Sequence, residues 1–528
     1  MEKERTVAES KEQAVLVPEA RLWSGREKER TREDKPGVRV KAVHRDQLVL
    51  RSVDVEQLLG ADHTARAIWD LVGLCDLEPF YAGIAAVEGQ AGRPASDPQL
   101  LISLWLYSYT QGIASGREIE RRCGFDPAYL WLTGAEKVGA HTLTDYRTSQ
   151  GEALKDLFIQ VLAVMEQEGL VDLQQVTQDG TRIRASAGSD TFRRKGTLEE
   201  HVNRARQRVA ELSRHNEADS EACTRRALAA RQRGAQEKLA RMEKALKELE
   251  AVEKQAEEPE KVRVSTTDPQ ARIMKENNNG YGPGYNLQLT TDASKTVIVS
   301  LDVTQDSNDG GQLQPAMDRV AEEAGQAPQQ VLADGSYTNR SNIVAMEQRG
   351  IDLLGPVPDS TAQKETLYQI RGVSQEFRPE AFSFDAAKNC YTCPAGKILA
   401  YKRKNRLTGQ SKYFYEAGSE DCLGCVHRPQ CCGQSRKGRS LVRSEDSEEV
   451  KKFRAKMQTE AAKASYKKRG AVAEFPNLWI KEKFGMRRFS VRGLDKVKLE
   501  GLWLGLTFNV QQWIRLSWKP QQMQEQGI

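Results

Sequence analysis

Two strand-like runs in this 528-residue chain each end in an aspartate followed by glycine, and these runs most constrain its fold. The first, QQVTQDGTRI at 174–183, ends at Asp179, and the second, VLADGSY at 331–337, ends at Asp334. An Asp-Gly pair on its own is more typical of a turn than of a metal site. If the two strands lie side by side, both carboxylates reach one sheet edge, where they are able to share a metal ion.

The order of elements around these runs predicts a mixed sheet with helices on its faces. We expect a strand ending at Asp179, a helical insertion, two strands, a helix, a strand ending at Asp334, a helix and a last strand. After the insertion, these are two strands within 287–305, a helix over 310–325, a strand over 329–337, a helix over 339–350 and a strand over 351–358. Three strands followed by alternating helices and strands match ribonuclease-H-like α/β folds. We therefore predict a ribonuclease-H-like mixed-sheet core, whose first part is residues 171–190 and 261–360.

Three other segments differ from this core in composition. Residues 1–45 are charged and poor in large apolar groups, as in a flexible tail. Residues 46–170 predict a helical N-terminal DNA-binding domain, in which the short helices of 115–134 fit either a helix-turn-helix that binds DNA or ordinary bundle packing. Residues 191–260 carry a seven-residue apolar seam that breaks near 213–220 and predict a helical hairpin insertion. This hairpin either contacts DNA or a second protomer, or is a solvated insertion.

Hydropathy and charge argue against a membrane protein. Apolar residues make up 39% of the chain, and no stretch approaches the roughly 20 apolar residues that a membrane helix needs. The first 35 residues lack an apolar signal core, so a cytoplasmic protein is expected. Net charge is only +5, but basic residues dominate 436–498. Such density suits a phosphate backbone as well as a solvated helical surface.

Six of the nine cysteines lie within 390–432. CYTC at 390–393 and CLGC at 422–425 have the two-residue spacer that lets both sulfurs of a pair reach one tetrahedral zinc ion. We therefore predict a Cys-rich insertion over 361–445 with a structural Zn²⁺, and reduced free thiols in a β-rich insertion are the alternative. The expected ligands are Cys390, Cys393, Cys422 and Cys425, with His427, Cys431 and Cys432 as further candidates.

A third acidic residue is expected from a helix in the last segment, 446–528. In YKKRGAVAEFPNLWIKEKFGMRRF at 466–489, Glu474 and Lys481 are seven residues apart and share a helix face, with Tyr466 and Arg469 nearer its start. These residues resemble the Tyr-Arg-Glu-Lys signature of DDE transposases from bacterial insertion sequences, spaced Y-x2-R-x4-E-x6-K. GYGPGYNLQLTTD, DVTQDSNDGGQL and ADGSY resemble the group of these transposases with a cysteine-bearing insert before the glutamate. Residues 95–150 resemble their N-terminal domain.

The resemblance implies an enzyme that cuts and joins DNA with two Mg²⁺ or Mn²⁺ ions. It makes Asp179, Asp334 and Glu474 the metal-binding triad. It also implies that Arg469 and Lys481 hold backbone phosphates, and that Tyr466 stacks on a base or donates to a phosphate. Asp302 and Asp309 are assigned to the middle hairpin and the following loop, outside the triad.

The partners implied are double-stranded DNA, as transposon ends and target, and a second copy of the chain, because pairing two ends requires a homodimer. A nucleoid-associated location in the cytoplasm follows. Two alternatives remain open: a transposase-derived DNA-binding protein that no longer cuts, and a zinc-stabilised coiled-coil scaffold with an accidental acidic pattern.

Overall fold

A computed structural model describes residues 52–86, 94–218, 222–276, 280–357, 361–432, 435 and 437–525. The predicted flexible tail at 1–45 lies outside the described residues. From Val53 onward the chain forms one compact unit.

The N-terminal part is helical, as predicted. Its helices are α1 (Thr64–Leu74), α2 (Glu78–Tyr81), α3 (Pro98–Thr110), α4 (Gly116–Arg122), α5 (Pro127–Thr133), α6 (Ala140–Ser149) and α7 (Gly151–Gln167). Asp97 caps α3 by accepting a hydrogen bond from the Gln99 backbone N–H, and Pro98 fits the first turn. Nearly every residue of α3 is buried, and α3 packs against α1, α5 and α6. α3 is therefore part of the hydrophobic core.

A mixed sheet follows. Its segment of the chain contains β1 (Gln175–Arg184), β2 (Phe192–Arg193), α8 (Lys195–Ala218), α9 (Ala222–Glu253), β3 (Val264–Ser265), β4 (Arg272–Lys275), β5 (Tyr281–Asp292), β6 (Val297–Thr304), α10 (Leu313–Glu323), β7 (Gln330–Ala333), α11 (Arg340–Gln348) and β8 (Asp352–Leu354). Six of these strands form one sheet in the order β4-β5-β1-β7-β8, with β6 also paired to β5. β1 is antiparallel to β5 and parallel to β7, so it is the central strand. This mixed α/β arrangement is consistent with a ribonuclease-H-like core.

The predicted end of the first strand is wrong. β1 does not stop at Asp179 but continues to Arg184, because its second half stays paired with β5, with Gly180 opposite Gln288. The other predicted strands and helices of this segment are present with bounds shifted by a few residues. Asp179 is thus a mid-strand residue rather than a turn residue.

The segment predicted as a helical hairpin forms the long helices α8 and α9, which pack against each other. Leu198, Ala245 and Leu249 are fully buried between them and β3. Arg206 Nη2 lies 2.8 Å from Glu243 Oε1 across the pair. The predicted break of the seam near 213–220 includes the end of α8 at Ala218, and α9 begins at Ala222.

The cysteine-rich segment forms a second, antiparallel sheet. Its elements are α12 (Thr361–Ile370), β9 (Ser383–Asp385), β10 (Cys390–Thr392), β11 (Ile398–Leu407), β12 (Gln410–Ala417), α13 (Ser419–Leu423), α14 (Arg428–Cys431) and β13 (Ser440–Asp446). The five strands are ordered β13-β12-β11-β10-β9. They enclose a small core of their own, in which Leu399 and Tyr415 are completely buried.

The last segment returns to the main core. It contains α15 (Glu448–Gln458), α16 (Glu460–Tyr466), α17 (Arg469–Leu478), a π-helical turn (Trp479–Lys483), α18 (Leu494–Trp513), a second π-helical turn (Ile514–Trp518) and α19 (Lys519–Glu525). α18 packs against β6, α7 and α3. α18 therefore joins the N-terminal helices to the sheet. None of the helices in the described ranges has the length and apolar character needed to cross a membrane.

Candidate active site

The register of two parallel strands places Asp179 beside Asp334. The pairing of β1 with β7 ends at Gln178 opposite Ala333, so the next residue of each chain segment is an aspartate. Neighbouring strands lie about 4.8 Å apart, and residues at the same register of a parallel pair point to the same face. The two carboxylates therefore meet at the end of β7.

Arg469, the first residue of α17, lies between these carboxylates. Its Nη2 is 2.9 Å from Asp179 Oδ1 and 4.0 Å from Asp334 Oδ2. The side chain is only 17% exposed, and its Nε has no hydrogen-bond partner among the described residues. Because a guanidinium carries five N–H donors, Arg469 keeps donors available for a further acceptor such as a phosphate oxygen.

Burial raises the pKa of Asp179 to about 6. The Arg469 cation opposes this shift, whereas the Asp334 and Asp309 carboxylates add to it. Removing water disfavours the charged carboxylate, and like charges nearby disfavour it further. Burial and the neighbouring carboxylates both disfavour the ionised form of Asp179. A bound cation would offset both effects, so the site favours one.

Gly180 is fixed by a buried polar network behind β1. A Cβ at this position would lie 2.7 Å from Asp309 Oδ1 and 2.9 Å from Tyr337 OH, distances at which a neighbour must shift. Asp309 Oδ1 also accepts hydrogen bonds from Asn286 Nδ2 at 2.6 Å and Gln288 Nε2 at 2.9 Å. Close approach of this network, and not a turn, accounts for the glycine after Asp179.

Asp309 lies beside the site, although sequence reasoning left it out. Its side chain is 9% exposed, and its Oδ2 is 3.0 Å from Arg182 Nη2. Its context, SNDGG, is typical of a loop, so the sequence carries no signal for this role. Asp302 lies elsewhere, where it pairs with Arg319 and Lys498.

Asn477 is a second residue that sequence reasoning missed. Its Nδ2 donates to Asp179 Oδ2 at 2.8 Å, so Arg469 and Asn477 each hold one oxygen of that carboxylate. The Asn477 Oδ1 atom is buried and has no partner within the described ranges. Helical spacing could have found this residue, because it follows Arg469 by eight positions, about two turns of an α-helix.

Glu474 is on the same helix but is solvent-exposed. No group of three or more His, Cys, Asp or Glu side chains in the described chain is arranged to hold a metal ion. Arg469 contacts two of the three expected acids, Asp179 and Asp334, and Glu474 is not part of this group.

Tyr466 and Lys481 both lie within electrostatic range of the aspartates. Burial lowers the pKa of Lys481, and the Asp179 carboxylate opposes that shift. Burial raises the pKa of Tyr466. The Arg469 cation opposes this shift, and the Asp334 and Asp179 carboxylates add to it. The prediction that one helix carries all four signature residues is wrong in detail. Tyr466 ends α16, and Lys481 lies in the π-helical turn that follows Pro476.

The cysteines of the second sheet converge on one small cavity. Backbone N–H groups donate to two of the sulfurs: Lys397 to Cys393 at 3.3 Å and Arg439 to Cys422 at 3.4 Å. Cys390 does not line this cavity. The cavity is lined by seven residues whose side chains are able to bind a metal ion: Cys393, Asp421, Cys422, Cys425, His427, Cys431 and Cys432.

The mixed sheet, the paired aspartates at adjacent strands and the helical N-terminal part are consistent with an α/β protein that has a ribonuclease-H-like core. Two family models match the chain: a transposase DDE domain at residues 392–514 and a transposase domain (DUF772) at residues 53–149. Together they support a DDE transposase of the insertion-sequence type, which confirms the resemblance. No curated protein and no solved structure gave a match.

Proposed function

We propose that this transposase binds the terminal inverted repeats of its own element and cuts and joins DNA strands by metal-dependent phosphoryl transfer. The observation that carries the proposal is the position of Arg469 between Asp179 and Asp334. The two carboxylates offer hard oxygen ligands of the kind that Mg²⁺ uses, and the Asp179 side chain is only 19% exposed.

Asp179 and Asp334 would hold Mg²⁺ or Mn²⁺, and Glu474 would complete the set from α17. The orphaned Asn477 Oδ1 supports the fit, because it is a buried neutral oxygen without a partner among the described residues, next to Asp179. When bound, such ions lower the pKa of an attacking water or 3′-hydroxyl and stabilise the leaving oxygen.

The chain's own side chains would bind and orient the DNA. Arg469 would hold a backbone phosphate through its remaining guanidinium donors, and Lys481 would add a point charge on the same side of Asp179. Tyr466 would donate to a phosphate or stack on a base. Asn477 would keep the Asp179 carboxylate in one orientation throughout.

The proposal also includes a second copy of the chain and a structural metal ion. Pairing of two element ends would require a homodimer in the synaptic complex. A structural Zn²⁺ would draw together cysteines that line the cavity of the second sheet and that are not arranged as a ligand set without it: Cys393, Cys422 and Cys425, with Cys431 or Cys432 in place of Cys390.

A transposase-derived DNA-binding protein that no longer cuts is the second candidate. The exposure of Glu474 favours it, because of the three expected acids only Asp179 and Asp334 pair with Arg469 among the described residues. A nicking assay separates the two functions, because only the first requires the carboxylates.

The test uses the full chain and duplex DNA that carries the sequences flanking its gene. We expect nicking that depends on Mg²⁺ or Mn²⁺. Asp179→Asn and Glu474→Gln should each reduce the nicking rate by about 100-fold or more, the upper range for groups that support a metal site. Both variants should bind the duplex as wild type does in a gel-shift assay.

Asp318→Asn is the matched control, since it removes an exposed carboxylate on α10 that pairs with Arg349. It should nick at the wild-type rate. Binding without nicking by the wild-type chain would establish the silent DNA-binding protein. Full activity of Glu474→Gln would remove Glu474 from the triad.

A further inference from the structure

The outer part of β11 carries basic side chains that have no acidic partner among the described residues. Residues 386–415 contain no Asp or Glu. Lys397, just before β11, pairs with Asp421 in α13 at 3.1 Å. The four basic residues further along β11 form no ion pair with any described residue, and all are exposed: Lys402, Arg403, Lys404 and Arg406. We call these four residues the basic edge.

The basic edge lies on a strand with one open side. Within the described chain, β10 pairs with β11 only over Ile398–Ala400, and β12 covers the opposite side of β11 along its whole length. Beyond Ala400 the first side of β11 is therefore not paired with any described strand. A bulge between Tyr401 and Arg403 turns the strand there.

Aromatic rings orient two of these four cations. Lys404 Nζ lies 4.7 Å from the centroid of Tyr413, and the Arg443 guanidinium lies 4.7 Å from the same ring. On the other face, the Arg403 guanidinium lies 4.4 Å from the Phe414 ring. Such contacts orient a long side chain without neutralising its charge, so the positive potential of the edge is retained.

The turn after the basic edge contacts the start of α11. Gly409, at φ +74°, is buried there; a Cβ on it would lie 3.0 Å from Arg340 O. Arg340 opens α11, after the loop that begins at Asp334, and its Nε donates to Asp446 at 2.8 Å. Asp446 also accepts from Arg454 at 2.8 Å. The end of β11 is therefore fixed to the helix that follows Asp334 in the chain.

We propose that the basic edge binds the phosphate backbone of the duplex DNA that enters the Asp179–Asp334 site. This inference rests on the proposed function and names the surface of the cysteine-rich sheet that contacts the substrate. Unneutralised cations along one strand match the regular negative charge of a DNA backbone. Charged residues on an open strand also prevent edge-to-edge association of sheets, and the experiment distinguishes that role.

The test compares two four-residue variants of the full chain. The first replaces the basic edge: Lys402→Gln, Arg403→Gln, Lys404→Gln and Arg406→Gln. The control removes the same charge from exposed positions of α9, where acidic residues are interspersed: Arg231→Gln, Arg233→Gln, Lys238→Gln and Arg241→Gln. Binding of a fluorescent duplex is measured by anisotropy over a series of salt concentrations, using DNA from the gene's flanks and an unrelated duplex of equal length.

For the basic-edge variant we expect affinity at 0.1 M salt to fall about tenfold or more for both duplexes. The slope of log K against log salt should decrease by about 0.9 for each phosphate that the variant no longer neutralises, up to about 3.6. The α9 control should keep the wild-type slope. Because the four side chains are exposed, thermal melting should not change; if the variant fails to fold, Lys402→Gln with Arg406→Gln, neither of which lies over a ring in the described structure, should lower the slope by about 1.8.

Wild-type affinity and slope in the basic-edge variant would overturn the inference. Unchanged DNA binding with self-association in sedimentation velocity would assign the charges to protection of the strand edge. An equal loss in the α9 control would show that net charge alone is responsible, which also overturns it. Nicking is not needed for this measurement, so an inactive wild-type chain would refute the proposed catalysis and leave the binding test valid.

Discussion

Asp179 is the residue on which burial, neighbouring charge and hydrogen bonding act together. Its carboxylate is 19% exposed, its two oxygens accept from Arg469 and Asn477, and Asp334 and Asp309 add negative charge nearby. Without a metal ion, the Arg469 guanidinium is the cation that offsets these charges at close range. The protonation of Asp179 should therefore report directly on the electrostatics of the site.

In metal-free protein, the stability contributed by Asp179 should depend on pH. Its folded pKa is about 6 against a usual 3.8, so between these values the folded state binds more protons than the unfolded state. The contribution is fully present below about pH 4 and is lost as pH rises through 6. Relative to Asp179→Asn, wild type should lose roughly 2–3 kcal/mol of unfolding free energy from pH 4 to pH 7. Urea denaturation in EDTA measures the free energy of unfolding of wild type and of Asp179→Asn at each pH. The same pH dependence in both proteins would contradict the prediction.

The site residues predicted from the sequence lie in recognisable local patterns. The residues that were missed depend more on how distant segments pack together. Asp179 and Asp334 follow strand-like runs, and the spacing of Arg469 belongs to a recognisable signature. Asn477 follows Arg469 by about two turns of the same helix, so its spacing carries a local signal that was not used. Asp309 reaches Asp179 only through the folding of the sheet, and no local pattern encodes that contact.

Among the elements, the cysteine-rich sheet departs most from its predicted ligand set. Equal two-residue spacers predicted the pairs Cys390–Cys393 and Cys422–Cys425. In β10, however, successive side chains alternate between the two faces of the sheet, so Cys390 is not at the cavity that Cys393 lines. Similarly, α17 was predicted to continue to Lys481, but Pro476 lacks a backbone N–H and a π-helical turn follows it.

Zinc binding should depend on the cysteines that line the cavity, and not on the set predicted from the two-residue spacing. Purified wild-type chain should contain about one Zn²⁺, as expected for a tetrahedral thiolate site. Cys393→Ser and Cys422→Ser should lose it and melt at a lower temperature. Burial raises the pKa of Cys431 to about 11, so zinc uptake should release protons from thiols, measurable in a weakly buffered titration.

Cys390→Ala is the matched control for this element, because it removes the ligand that the spacing predicted. It should retain zinc by atomic emission spectrometry. Absence of zinc from the wild-type chain, or equal loss in Cys390→Ala and Cys393→Ser, would contradict the revised ligand set.

For the molecule as a whole, a buried ion pair connects the N-terminal helices to the end of the chain. Arg147 in α6 and Glu500 in α18 are 5% and 1% exposed, with Nη1 3.3 Å from Oε1. Arg147 also donates to Ala114 O at 2.9 Å, and the Ser490 backbone N–H donates to Glu500 at 2.8 Å. Since one hydrophobic core spans residues from Ala65 to Trp518, this pair lies inside a shared core. The N-terminal helices and the sheet should therefore unfold together.

Breaking this pair tests that coupling. Arg147→Met leaves Glu500 buried without its cation and should lower the free energy of unfolding by about 3–5 kcal/mol. The double variant Arg147→Met with Glu500→Leu should recover much of the loss, because it removes the uncompensated charge. Circular dichroism, which reports mainly on helices, and tryptophan fluorescence should give one coincident transition for wild type and both variants. A separate early transition of the helices in Arg147→Met would show that the N-terminal part unfolds independently, and an unchanged midpoint would show that the pair adds nothing to the shared core.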